Sequence, residues 1–143
     1  MGTSAKPERP EMEIIRMLLV DDEDDFRITL ANRLKKRNLE VVDVGSGKEA
    51  IEQVREKRFD VAVVDIKMPE MDGIEALKHI KAIDPAIEVI LLTGHASVEA
   101  GIEGLKSGAY DYMVKPCKIA ELLNKIEDAH RRKMVEAGNL KER

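Results

Sequence analysis

The sequence predicts an α/β domain built on a five-stranded parallel sheet with helices on both faces. Short apolar runs rich in β-branched residues alternate five times with segments of helical period. Two of the runs, Leu18-Leu19-Val20 and Val61-Ala62-Val63-Val64, are continuously apolar, as parallel strands covered on both faces are. Right-handed crossovers between such strands must place helices on both sides of the sheet.

Residues 1 to about 14 are polar, carry Pro7 and Pro10 and show no periodicity, which predicts a flexible tail. The domain is expected over 15–137 and a second short tail over 138–143. Its strands are expected at Met17 to Val20, Val41 to Val44, Val61 to Val64, Ile87 to Leu92 and Tyr110 to Val114. Phe26, Leu30 and Leu34 recur every four residues and share one face of a first helix. Ser46 and Glu49 have capping-box spacing ahead of Ala50, Ile51 and Val54. Ile74, Leu77 and Ile80 mark a third helix, which Asp84-Pro85 must end because proline cannot continue it. Val98, Ile102 and Leu105 mark a fourth, and Ile119, Leu122, Leu123 and Ile126 a fifth. The fifth runs into His130-Arg131-Arg132-Lys133, where cations complement the helix dipole and require no other partner.

At 143 residues the chain can bury a core without disulfides or structural metals as staples. A hydrophobic fraction of 43% and a charged fraction of 36% fit a soluble globular protein. No apolar run approaches the roughly 20 residues that span a bilayer, and the N-terminus lacks the basic-then-apolar order of a secretory signal. Cys117 is the only cysteine, which excludes an internal disulfide and a cysteine-rich metal site. A reducing cytoplasm is the expected location, with no membrane partner. A net charge of -4 argues against direct nucleic-acid binding, and the absence of Trp leaves no aromatic platform for stacking bases.

Ligands of open parallel sheets collect beyond the carboxyl ends of the strands. Asp21-Asp22 follow the first strand, Asp65 the third, Thr93 the fourth and Lys115-Pro116 the fifth. The second ends in Gly45-Ser46-Gly47, which is turn chemistry. Three carboxylates, a hydroxyl and an ammonium therefore meet at one edge. The acidic run 21–25 has a bland reading as a solvated charge block. Asp24 or Asp25 can cap the first helix, but Asp21 and Asp22 cannot both be explained that way. Beside Asp65 they repel unless a cation is present, and hard carboxylate oxygens suit Mg²⁺. Asp65 could merely form an Asx turn. Next to a metal and a lysine, however, it can act as a nucleophile towards phosphorus. Metal, ammonium, hydroxyl and backbone N–H groups would then neutralise the charge on the phosphoryl oxygens.

These residues resemble those of the response-regulator receiver domain of two-component signalling. LLVDDE, VVDIKMPEMDG, ILLTGHAS and GAYDYMVKP stand in the family's order within residues 16–135. The resemblance implies a flavodoxin-like doubly wound sheet of strand order 2-1-3-4-5 with five helices. It implies that Asp22, Asp65 and the backbone carbonyl of Lys67 ligate Mg²⁺ with Asp21 assisting, and that Mn²⁺ can substitute. Asp65 would take phosphate from a phosphohistidine on a histidine kinase or phosphotransfer protein. Thr93 and Lys115 would bind the phosphoryl oxygens, and Tyr112 would rotate inward as Thr93 moves. The face made by helix 4, strand 5 and helix 5 would then regulate a partner or output domain. The resemblance implies no catalysis beyond the chain's own phosphorylation and dephosphorylation, and a cis peptide between Lys115 and Pro116.

There are departures. Cys117 stands where the family usually has Phe, which predicts looser packing beneath the last helix. GAYDYMVKP is similar to the ATPase-type transcriptional activators, yet no ATPase or DNA-binding segment lies within these 143 residues. The chain is thus expected to be a stand-alone receiver or a piece of a longer regulator.

Lys67 and His95 lie two residues after Asp65 and Thr93. In the resembling family these positions flank the path of the hydrolytic water, so both are candidates for setting the lifetime of the phosphorylated form. A solvated lysine and a solvated loop histidine are the plain alternatives. Gly101 and Gly104 in the fourth helix cost about 2 kcal/mol together relative to alanine. They mark either a low-stability element that phosphorylation shifts or a place where close packing requires small residues. Three rival functions fit these residues less well. A haloacid-dehalogenase-type phosphatase would want a second Asp where Lys67 stands. An interaction module that is never phosphorylated would not need Asp22, Asp65, Thr93 and Lys115 together. A flavodoxin-like flavin carrier would need a Ser/Thr-rich phosphate loop and aromatics that this chain lacks.

Overall fold

A computed structural model describes residues 14–94 and 98–138. Five strands form one parallel sheet in the order β2-β1-β3-β4-β5. They are β1 (Ile15–Val20), β2 (Leu39–Val44), β3 (Val61–Asp65), β4 (Glu88–Thr93) and β5 (Asp111–Val114). The intervening helices are α1 (Asp24–Lys35), α2 (Gly47–Glu56), α3 (Gly73–Ile83), α4 (Val98–Lys106) and α5 (Ile119–Glu136). The expected class, topology and element sequence are all observed. The tails expected at 1–14 and 138–143 lie outside the described residues, apart from Ile14 and Gly138.

Side chains alternate across the pleat and feed two cores. Leu18, Val20, Ala62, Val64, Val89 and Leu91 pack with Ala50 and Val54 of α2 and Leu77 and Ile80 of α3. Met17, Leu19, Val61, Val63, Ile90 and Leu92 pack with Leu30 and Leu34 of α1 and Leu122 and Ile126 of α5. Every residue of β3 is buried, and each buried Val contributes about 1.5–3 kcal/mol. The central strand is therefore a rigid base for whatever stands at its end.

Helix termini follow the sequence closely, with instructive exceptions. Ser46 Oγ accepts from the Glu49 amide at 3.1 Å, but the Glu49 carboxylate reaches back to the Gly45 amide instead of that of Ser46. A reciprocal capping box forms at α3, between Asp72 and Glu75. Neither Asp24 nor Asp25 caps α1: Glu23 occupies the cap position without a side-chain hydrogen bond, and Asp24 turns to Arg27.

Two expectations change. The periodic residues of α4 point outward: Val98 is 68% exposed, Ile102 47% and Leu105 44%. Its buried face is made by Gly101 and Gly104. A Cβ at 101 would stand 2.4 Å from the Tyr112 ring, and one at 104 would stand 2.3 Å from Leu91 Cδ1. Close packing accounts for both glycines. The basic cluster of α5 also has specific partners. Lys133 pairs with Asp60 at 2.8 Å, and Arg132 with the buried Glu88 at 3.2 Å. Both acids stand at the amino ends of their strands, where α5 passes over the sheet. A tertiary ion pair, more local than the dipole, is what those cations serve.

Candidate functional site

The site is assembled from loops that the sheet holds in register. Asp21 continues β1 by one residue, and its amide donates to the Val44 carbonyl at 3.1 Å. Its carboxylate is buried, accepting from the Glu23 amide at 2.9 Å and from Lys115 Nζ at 2.8 Å. Asp22 is exposed beside it. Asp65 ends β3 and is 5% exposed. The following loop turns back tightly: the Gly73 amide donates to the Ile66 carbonyl at 2.7 Å, and Glu70 takes a φ of 70°. A Cβ on residue 73 would stand 2.2 Å from the Asp65 carbonyl oxygen, so only glycine allows α3 to start against the end of β3.

Lys115 approaches from the far side. Its amide donates to the Thr93 carbonyl at 2.6 Å, and the peptide to Pro116 is cis, as the resemblance implied. Its ammonium lies 4.2 Å from the Phe26 ring centre. The same ammonium reaches Glu23 at 3.2 Å and Asp65 at 3.8 Å. Together Asp22, Glu23, Asp65, Lys67, Gly94 and Lys115 line an open cleft of about 260 Å³.

The charges in this cleft do not cancel. Burial first, and then the Asp21 carboxylate, raise the Asp65 carboxyl to about 6 against the opposing pull of Lys115. Burial alone would lower Lys115, but its bond to Asp21 and the charge of Asp65 outweigh that and raise it. One ammonium thus serves Asp21, Glu23 and Asp65. Oxygens of Asp21, Asp22 and Asp65 all lie within 4.8 Å of one another. An all-carboxylate set with excess negative charge and an open side fits a hard divalent cation that keeps other ligands for itself.

The structure thus brings together Asp21, Asp22, Asp65 and Lys115, with Lys67 exposed on the rim. Thr93 is buried at the end of β4. Tyr112 is half-buried on β5, opposite Leu91 and against Gly101. His95 lies outside the described residues. Sequence reasoning missed Glu23 as a second partner of Lys115. The signal was its place directly after Asp21-Asp22, where it was absorbed into an acidic run. Cys117, Phe26, Leu30, Pro116, Ile119 and Leu122 help to line a second, largely apolar cleft of about 430 Å³ between α1 and α5, where looser packing was expected.

Known proteins share the sequence pattern and the fold. The model of the response regulator receiver domain matches residues 17–127. Transcriptional regulatory protein ZraR of Escherichia coli is 44% identical over 115 residues, which are 80% of this chain and 26% of that protein. The chain thus spans about a quarter of the length of these curated relatives. A receiver domain protein from Clostridium thermocellum superposes with a TM-score of 0.81 at 32% identity, covering 85% of this chain and 98% of that one. A CheY-like receiver domain protein from Methanospirillum hungatei gives 0.82 at 30% identity, covering 86% and 98%. The chain belongs to the response regulator receiver family.

Proposed function

We propose that this chain is a phosphorylation-driven switch in which Asp65 accepts a phosphoryl group from a histidine kinase or phosphotransfer protein. The observation that carries the reading is the Asp65 carboxylate itself, held at a buried strand end yet open to a cleft with Lys115 3.8 Å away. An Asp65 oxygen forms a bond to phosphorus as the donor's P–N bond breaks, and the imidazole nitrogen leaves with the electron pair. Lys115 and the Thr93 hydroxyl bind phosphoryl oxygens, and the rigid β3 keeps the attacking oxygen in place. Asp21, Asp22, Asp65 and the Lys67 carbonyl would hold Mg²⁺ or Mn²⁺. When bound, the cation neutralises charge on the carboxylates and on the transferred group. As in receiver domains generally, the chemistry is confined to the chain's own phosphorylation and dephosphorylation.

The output face follows from the inverted α4. Val98, Ile102, Leu105 and, on β5, Val114 leave apolar side chains exposed, while the Tyr112 ring lies on Gly101 and couples α4 to β5. Rotation of Tyr112 inward would release that contact and move the exposed face, which regulates a partner or output domain. The domain is taken as 15–137, and it acts in the cytoplasm without binding nucleic acid itself. No helix among the described residues is long and apolar enough to cross a membrane.

Acetyl phosphate with Mg²⁺ tests the reading. Mass spectrometry should map one labile phosphoryl group to Asp65, none should appear on Asp65→Asn, and phosphomonoesters should not be turned over. Stable phosphate on another residue, or steady release from phosphomonoesters, would sink it.

A further inference from the structure

Arg27 stands outside the cleft, yet it is tied to the backbone that carries the acidic pair. It is the fourth residue of α1 and its side chain is 13% exposed. Nη1 donates to the Asp21 carbonyl oxygen at 2.9 Å and to Asp24 at 2.8 Å. Nε donates to Asp43, near the end of β2, at 2.8 Å. A Cβ on Gly45 would stand 3.0 Å from Nη1, so the β2–α2 turn leaves just the room that the guanidinium fills. The Asp21 amide is fixed from the same strand, through Val44. The peptides flanking Asp21 are therefore held from both sides, by β2 directly and by β2 through Asp43 and Arg27.

We infer that Arg27 is a positioning residue for the divalent-cation site, setting the direction in which the β1–α1 loop presents the Asp21 and Asp22 carboxylates. The inference rests on the metal reading of the acidic cluster. A planar guanidinium can bond a carbonyl and two carboxylates at once, and an ammonium cannot reproduce that fork. Groups that orient metal ligands from outside the coordination shell change affinity by about ten- to a hundredfold when removed.

Simple electrostatics opposes this effect. Removing a positive charge from the neighbourhood of a cation site should tighten binding. Deleting Arg27 also leaves Asp24 and Asp43 without their shared cation, which adds to that pull. Weaker binding in a variant therefore reports lost orientation, because the two explanations predict opposite signs.

Free Mn²⁺ counted by electron paramagnetic resonance reads the affinity directly, with melting in EDTA as the measure of folding. Arg27→Ala should weaken Mn²⁺ binding about tenfold, and Arg27→Lys should weaken it by a smaller factor. Saturating Mg²⁺ should restore the phosphorylation rate with acetyl phosphate, a rescue that a general folding defect would not allow. Unchanged or tighter binding in either variant overturns the inference. Should Arg27→Ala fail to fold, Arg27→Lys and Asp43→Asn decide it by the same criterion. If the parent binds no Mn²⁺, the metal reading falls and takes this role with it; if the parent binds and the variants match it, only the role of Arg27 falls.

Discussion

The two edges of this sheet both bury carboxylates, and they treat them differently. At the amino edge, Asp60 and Glu88 each meet a cation from α5, and the two Asp60 oxygens are bonded separately to the Arg16 amide and to Lys133. At the carboxyl edge, Asp21, Glu23 and Asp65 share Lys115, and Asp22 stands beside them. Burial raises Glu88 as well, but there Arg132 and Lys81 oppose it. For Asp65 the neighbouring acids add to burial, and the carboxyl reaches about 6. The amino edge is matched in charge and serves the fold. The carboxyl edge is left unmatched, which suits the cation and phosphoryl group proposed to bind there.

The carboxyl edge is most sensitive at Gly73. Gly73→Ala places a methyl against the Asp65 carbonyl, where backbone must give way. It should destabilise by about 3 kcal/mol and impair phosphorylation in whatever remains folded. Urea melts and acetyl phosphate labelling measure the two losses.

Acidity separates the edges next. An unfolded Asp releases its proton near pH 3.9, whereas folded Asp65 releases it at about 6. Between those values the folded state binds more protons, so the contribution of Asp65 to metal-free stability falls as pH rises and levels off above the folded value. Asp65→Asn should remove that fall and stabilise the EDTA-treated protein at pH 7 by about 1–3 kcal/mol. Equal melting of parent and variant across this range would contradict the charge imbalance.

Removing a cation from the amino edge should do the reverse. Lys133→Met leaves the half-buried Asp60 without its cation and should cost about 2 kcal/mol, with Mn²⁺ affinity unchanged. A change in affinity would mean that the two edges are coupled. The smallest effect concerns the rim. Lys67→Ala should shorten the lifetime of the phosphorylated form by a few-fold if its ammonium reaches the phosphoryl group or blocks water, and an unchanged half-life discards that role.

Much of this was legible in advance because it is local. The strand runs, helix periods, Asp84-Pro85 stop and strand-end acids all lie in short windows whose chemistry does not depend on distant partners. The inverted face of α4 was not legible, because Val98, Ile102 and Leu105 have the period of a core face. Their exposure depends on Tyr112 and Leu91 needing the room that Gly101 and Gly104 provide. The partners of Arg132 and Lys133 were hidden for the same reason: Glu88 and Asp60 are 44 and 73 residues away in the chain, and local dipole logic offered a sufficient explanation.

By itself, then, the sequence determined the alternation of strands and helices and the identity of the groups at each strand end, since period and punctuation act within a few residues. Only the tertiary structure decided how charge is shared: that Lys115 serves three acids, that Arg27 clamps the Asp21 loop to β2, and that α5 neutralises the opposite edge. Charge balance falls steeply with distance and burial, so it exists only once the chain has brought those groups together.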